Sequence, residues 1–398
     1  KDHLFQVANI TSGQIKKLNH AGIMTMQQLA DSTLTHVSGI NPIVVEKLKS
    51  QAAIQKQSVD SETPHFKILL PTPGEMSGLA LLPPHSPLDV FFDIEGYPLD
   101  EGGLEYLWGC TYFNDEGQRI FKDFWAHDIN QEKDAFESFI KWVYGRWQQD
   151  QSMHIYHYAN YEIAACRKLM GRYGICEYEV DQLLRNDVFV DLYKIVKGGL
   201  LLGEPRYSIK NVEHIYRGKR DTKIASGSDS VIVYDQWREL YQLGEEGDTW
   251  KTSAILKNIR DYNIDDCDST QELVVWLREQ QQIHSILFSG KTEIIEPEVK
   301  EEITERTRLR DRLLQRSLTE QESSPVQAAL TENLAWILEF HRREAKPIFW
   351  RLFDRLGLGH LELMDDLDCL ACCERTERDP YKPIPNAKNL AFEYSFYP

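Results

Sequence analysis

The chain has no uninterrupted apolar run approaching about eighteen residues, so no transmembrane helix is indicated. It has no basic-then-apolar amino-terminal stretch of the kind that directs export. Cysteine is sparse: seven residues, at 110, 166, 176, 267, 369, 372 and 373, an odd number thinly spread over 398. That excludes a disulfide-built secreted domain and fits reduced thiols in a cytosolic protein, so a cytoplasmic location is expected. Cys369 and Cys372 make one CxxC beside Cys373, but no second CxxC or HxxxH completes a zinc ligand set, and buried or incidental thiols are expected. Positive charge is also short: 45 Lys and Arg against 62 Asp and Glu give −17. This argues against a protein that coats nucleic acid through bulk attraction. It leaves room for an enzyme that gathers carboxylates around metal ions and keeps its basic residues local.

What is present suits two or three domains with ordinary cores, since apolar residues make up 42% of the chain. The opening on Lys1 and the stop after "EYSFYP" read as a segment of something larger. Residues 1–56 read as short helices joined by glycine turns, Ala21-Gly22-Ile23 and Ser38-Gly39-Ile40, and carry six Lys against Asp2, Asp31 and Glu46. Residues 57–87 hold Pro64, Pro71, Pro73, Pro83, Pro84 and Pro87, the composition of a linker or extended arm in which "HFKILL" can add an edge strand. From 88 to 284 strands and helices alternate. "DVFFDIEG" is a buried strand, and Asn114-Asp115-Glu116-Gly117 separates two strands of a hairpin. Phe136, Phe139, Ile140 and Val143 follow helical spacing. "MHIYHYA" is a further strand, with a helix from Tyr161. The expected fold is α/β, a mixed sheet of about five strands with helices on both faces. Residues 285–398 read as a charged helical extension.

The chemistry starts at "FFDIEGYP". Asp93 and Glu95 alternate on one strand and so share a face. Glu162 falls in the first turn of a helix at a strand's carboxyl end, a common functional position in open α/β sheets. In "RDYNIDDCDST", Tyr262 and Asp266 are four apart and share a helix face, while Asp265 and Asp268 point elsewhere and are expected to be solvated. Four carboxylates converging on one point would repel unless cations sat among them, and hard ions with oxygen ligands, Mg²⁺ or Mn²⁺, two of them, meet that need. Tyr262, one turn from Asp266, is placed to orient a water.

"FFDIEG", "HYANYE" and "YNIDDCD", in that order, resemble the three motifs of the DEDD exonuclease superfamily on the RNase-H-like fold. Tyr262 and Asp266 fit the Tyr-x-x-x-Asp of its DEDDy branch; the histidine branch would place His where this chain has Asp261. "RYSIKNVEHIY", 206–216, is similar to the Ser-leucine-lysine helix that precedes the third motif. The order of parts also resembles the RNase-H-like segment of bacterial predicted RecB-like nuclease and helicase proteins, over about residues 88–280. The resemblance implies a two-metal 3′–5′ exonuclease with Asp93, Glu95, Glu162 and Asp266 as metal ligands and Tyr262 beside them. The implied substrate is DNA with single-stranded 3′ ends, with RNA as the alternative, and a helicase or second nuclease domain of the same protein as partner. One departure stands out: the second motif usually reads His-Asn-x-x-aromatic-Asp, whereas here the acid is Glu162 and the asparagine is Asn160. Glutamate reaches a metal with a looser hold, so a degenerate nuclease or a binding scaffold is the alternative expectation.

The opening block resembles a tandem helix-hairpin-helix module. Its hairpins at Gly22 and Gly39, with Lys16, Lys17 and Lys47, would offer backbone amides and charge to phosphates; a packing adaptor is the alternative. His157 reads as a satisfied core histidine and Asp191 as a structural cap. "RGKRDTK", 217–223, reads as a solvated loop, and the arginines of 306–316 and 342–351 as helix surface or a partner interface.

Overall fold

The computed structural model describes residues 2–71, 76–217, 227–290 and 305–356, together with 363, 366, 368–370, 373–384 and 388–395. The chain divides into two compact units, Lys1–Ile294 with Cys372–Pro398, and Ile295–Ala371. The first unit opens on helices α1 (Ser12–His20), α2 (Met26–Ala30) and α3 (Pro42–Ser58). Each starts on a side chain that satisfies orphan backbone amides: Thr11 and Thr25 make capping boxes with Gln14 and Gln28, and Asn41 caps a helix with Pro42 in its first turn. Gly22 and Gly39 occupy the turns between them with φ of +86° and +78°, where a Cβ would be strained. Leu18, Leu29, Val45 and Leu48 build a core of their own beneath.

The proline-rich arm carries β1 (Phe66–Ile68), and Leu79 and Leu82 within it are buried. Then follow β2 (Val90–Tyr97), β3 (Leu104–Phe113), β4 (Arg119–Trp125), α4 (Ile129–Gln149), β5 (Ile155–His157), α5 (Tyr161–Tyr173), α6 (Glu177–Arg185), β6 (Phe189–Asp191), α7 (Leu192–Gly199) and β7 (Leu200–Leu202). The unit continues with α8 (Ile209–Val212), α9 (Gly227–Gln242) and the long α10 (Ala254–Ile283). The main sheet runs β4-β3-β2-β5-β6, with β2, β3 and β4 antiparallel neighbours and β2, β5 and β6 parallel. This is the five-stranded mixed sheet expected from the sequence. The "HFKILL" strand pairs with β7 in a separate two-stranded sheet. α3 lies on β7, where the Gln51 amide donates to the Leu202 carbonyl at 2.8 Å and Gln51 accepts from the Tyr207 hydroxyl at 2.7 Å.

The two faces of β2 have different neighbours. Phe92 stacks on Phe139 of α4, with ring centroids 4.4 Å apart, so the spacing read in that helix does point at the sheet. Phe91 belongs to the cluster that includes Leu273, Val274 and Leu277 of α10. Alternation then puts Asp93 and Glu95 on the α10 side. Between Glu95 and Gly96 the register slips: Glu95 opposes Leu107 while Gly96 opposes Glu105, which makes Tyr106 the extra residue. Tyr106 stacks on Tyr234 of α9 at 3.7 Å, whereas Trp108, two residues on, packs on Phe136 and Phe139 of α4.

The second unit is the helical hairpin α11 (Glu305–Glu320) and α12 (Pro325–Leu356), pinned by a bond from Ser317 Oγ to the Ala328 carbonyl. Not all of its arginines are outward surface, because Arg310 reaches to 3.8 Å from the buried Glu339. The extension is not helical throughout: β8 (Glu374–Arg375) and β9 (Tyr394–Ser395) form a short antiparallel pair. Cys372, residues 218–223 of the basic run and the side chains of Arg342 and Arg343 lie outside the described residues. Among the described residues, Cys369 and Cys373 join no cluster of metal-ligating groups, and no helix is long and apolar enough to cross a membrane.

Candidate active site

Strand alternation on β2 and helical periodicity on α10 bring the first and third motifs together. Oxygens of Asp93, Glu95 and Asp266 all lie within 4.8 Å of one another. Glu95 and Asp266 are buried and Asp93 is half-buried. Tyr262, also buried, lies one turn before Asp266 and bonds to it.

The electrostatics are those of crowded like charges. Burial pushes the Glu95 carboxyl up to about 8; the Ser230 hydroxyl pulls it down, Asp266 pushes it up again, and Lys210 and Asn263 partly offset that. Ser230 Oγ donates to Glu95 Oε2 at 2.7 Å from the first turn of α9. Asn263 Nδ2 donates to Asp93 Oδ2, also at 2.7 Å. Burial raises the Tyr262 phenol far above its ordinary value, and Asp266, Glu95 and Asp93 raise it further, so it stays protonated at any physiological pH. Lys210, on the short helix before the third motif, sits over the Tyr262 ring at 4.7 Å, a cation–π contact that also brings positive charge to the cluster.

The second motif is placed differently. Glu162 is buried in the first turn of α5, with Oε2 at 3.4 Å from Nδ1 of the fully buried His157, and it is not one of the three grouped carboxylates. Burial raises Glu162, and His157 pulls it down. Burial lowers His157, and the Glu162 carboxylate, Asp191 and the Ala159 carbonyl more than offset this. His157 is thus a core histidine engaged on one nitrogen; its Nε2 has no hydrogen-bond partner among the described residues. Asp191 caps α7 by accepting from the Tyr193 amide, and it accepts from the Ala159 amide as well, both at 2.9 Å. Asp265 and Asp268 are not simply solvated. Asp265 pairs with Arg217 at 2.8 Å, and Asp268 accepts from Thr111 at 2.7 Å and Arg119 at 3.1 Å.

In the amino-terminal module Gly22 and Gly39 form the expected turns, and Lys16 is exposed on α1. Lys17 donates to the Gly39 carbonyl at 2.8 Å, tying the first helix to the second turn, and Lys47 is half-buried on α3.

Sequence reasoning missed three groups that touch the cluster: Ser230, Asn263 and Lys210. Lys210 lies inside the segment 206–216 and Asn263 inside the third motif, whereas Ser230 had no signal. It also missed a second set of buried acids on the α4 side of the sheet. There the Glu105 amide donates to Glu132 Oε1 at 2.6 Å, Glu105 meets Tyr161 and Lys168, and Glu132 meets Arg172 and Tyr173.

The donor set fits a hard divalent cation: all oxygen, carboxylate and closely spaced. No curated protein and no solved structure matches the chain. Residues 90–278 match a family model described as RNase H superfamily, and with the sheet and carboxylates above they give this protein an RNase-H-like domain, a fold of nuclease type.

Proposed function

We propose that the protein is a metal-dependent 3′–5′ exonuclease of the DEDDy type that hydrolyses phosphodiester bonds of DNA, starting from single-stranded 3′ ends. The observation that carries the proposal is the grouping of Asp93, Glu95 and Asp266 within 4.8 Å, with Tyr262 one turn from Asp266. Mg²⁺ or Mn²⁺ held there would polarise the phosphoryl group and acidify a bound water. Asp93, Glu95 and Asp266 would hold the ions, and Glu162 would join them by giving up His157. Tyr262, one turn from Asp266, would orient the attacking water through its hydroxyl. The turns at Gly22 and Gly39, with Lys16, Lys17 and Lys47, hold the DNA backbone without reading sequence. A helicase or second nuclease domain of the same protein would deliver the free end.

One observation favours a second reading: Glu162 is engaged by His157 and stands outside the carboxylate group. A protein that kept the fold and lost rate would serve as a nucleic-acid-binding scaffold. Digestion of single-stranded DNA labelled at its 5′ end, with Mg²⁺ or Mn²⁺, beside a matched RNA and the Asp93→Ala and Asp266→Ala variants, tests both. A ladder that shortens from the 3′ end and falls by at least about 10³-fold in both variants is expected. Binding without cleavage of either strand establishes the scaffold, and faster cleavage of RNA makes the protein a ribonuclease.

A further inference from the structure

Asn263 is fully buried one residue after Tyr262, and its Nδ2 donates to Asp93 Oδ2 at 2.7 Å. A buried amide needs room on the sheet it faces, and that room comes from one residue. Gly109 of β3 lies directly opposite Asp93 in the antiparallel register. A Cβ at Gly109 would overlap Asn263 Oδ1 and come to 2.8 Å from the Asn263 side-chain carbon and the tip of the Phe121 ring. Gly109 has an ordinary backbone conformation there, so no turn requires glycine at this position. A glycine in the middle of a long buried strand weakens it and marks a close approach. Here the approaching group is the Asn263 carboxamide. Its Oδ1 has no hydrogen-bond partner among the described residues, so the amide is seated by shape against Gly109 while its donor end serves Asp93.

We infer that Asn263, seated in the gap left by Gly109, is a positioning residue that fixes the Asp93 carboxylate for metal binding. The inference rests on the metal-site reading proposed above. Asp93 is the half-buried member of the group, and it lies on a different element from Asp266. A donor on α10 that reaches across to β2 locks the two elements' ligands into one arrangement before an ion arrives. Hydrogen bonds from groups around metal ligands raise affinity by orienting those ligands, and losing one typically weakens binding by about 10–100-fold.

The test is a double-mutant cycle read by Mn²⁺ titration, using calorimetry or the electron paramagnetic resonance of free Mn²⁺. Wild type, Asn263→Ala, Gly109→Ala and the double variant are compared, with thermal unfolding of each metal-free protein alongside. Asn263→Ala should weaken Mn²⁺ binding by about 10–100-fold. Gly109→Ala should weaken it comparably, because the new methyl displaces the amide. The double variant, in which the overlap with Asn263 is gone, should fold and bind no more weakly than Asn263→Ala alone, a non-additivity that a purely structural glycine would not produce. Equal Mn²⁺ affinity in wild type and Asn263→Ala, or effects that simply add, would overturn the inference while leaving the metal site intact. A wild-type protein that binds no Mn²⁺ would overturn the metal reading and this inference together.

Discussion

Two sets of carboxylates lie on opposite faces of one sheet, and the chain treats them in opposite ways. On the α4 side, Glu105 has Lys168 at 3.1 Å and the Tyr161 hydroxyl at 2.7 Å, and Glu132 has Arg172 at 3.0 Å and the Tyr173 hydroxyl. Each acid there has a cation supplied by α5. On the α10 side, Asp93, Glu95 and Asp266 lie within 4.8 Å of one another and meet the neutral donors Asn263 and Ser230, with Lys210 offsetting part of the charge. The first set is a closed structural network. The second leaves like charges crowded together, and the Glu95 carboxyl, raised to about 8 by burial, marks the difference.

The contrast can be broken from the closed side first. Arg172→Met leaves Glu132, which is wholly buried, without its cation, and should destabilise the protein by about 3–5 kcal/mol in urea unfolding. Adding Glu132→Gln to it should recover much of that loss, since the stranded charge is then gone.

The open side should respond with the opposite sign. Glu95 ionises near 8 in the fold against 4.5 as a free side chain, so between those values the folded protein retains a proton that the unfolded chain has released. Stability of the metal-free protein therefore falls as pH rises through that window. Glu95→Gln should stabilise the metal-free protein at pH 8 by about 2 kcal/mol and have little effect at pH 4.5. Saturating Mn²⁺ should remove the advantage, because only the carboxylate gains from the ion. A melting temperature unchanged by the substitution at pH 8 would mean that the cluster is already neutralised by the chain.

Smallest of all should be Lys168→Met. The Lys168 side chain is two-fifths exposed, so its pairing with Glu105 is screened, and a loss of about 1 kcal/mol or less is expected in the same unfolding assay.

Local periodicity made most of this visible in the chain. Asp93 and Glu95 share a face because strands alternate, and Tyr262 and Asp266 share one because four residues make about a helical turn. Phe136, Phe139, Ile140 and Val143 announced α4 by the same rule, and Asn114 to Gly117 announced the β3–β4 turn. What was not legible depends on partners distant in sequence. Ser230 is 135 residues from Glu95, and Arg119 is 149 from Asp268. Glu162 has an equally good helix-start position whether it faces the other carboxylates or His157, and the side-chain contact decides. Tyr106 had no signal either: its direction follows from a register slip that strand alternation, read alone, would not reveal.

The contact between α3 and β7 changes what the proline-rich arm can be. Gln51 binds Leu202 and Tyr207 in a buried junction, and Ser58 closes over Gly203, where even a methyl would not fit. These contacts fix the start of the arm against β7. Protease treatment should release no free amino-terminal fragment, because separating the halves would bare Leu200, Leu201 and Leu202 and leave a sticky strand edge.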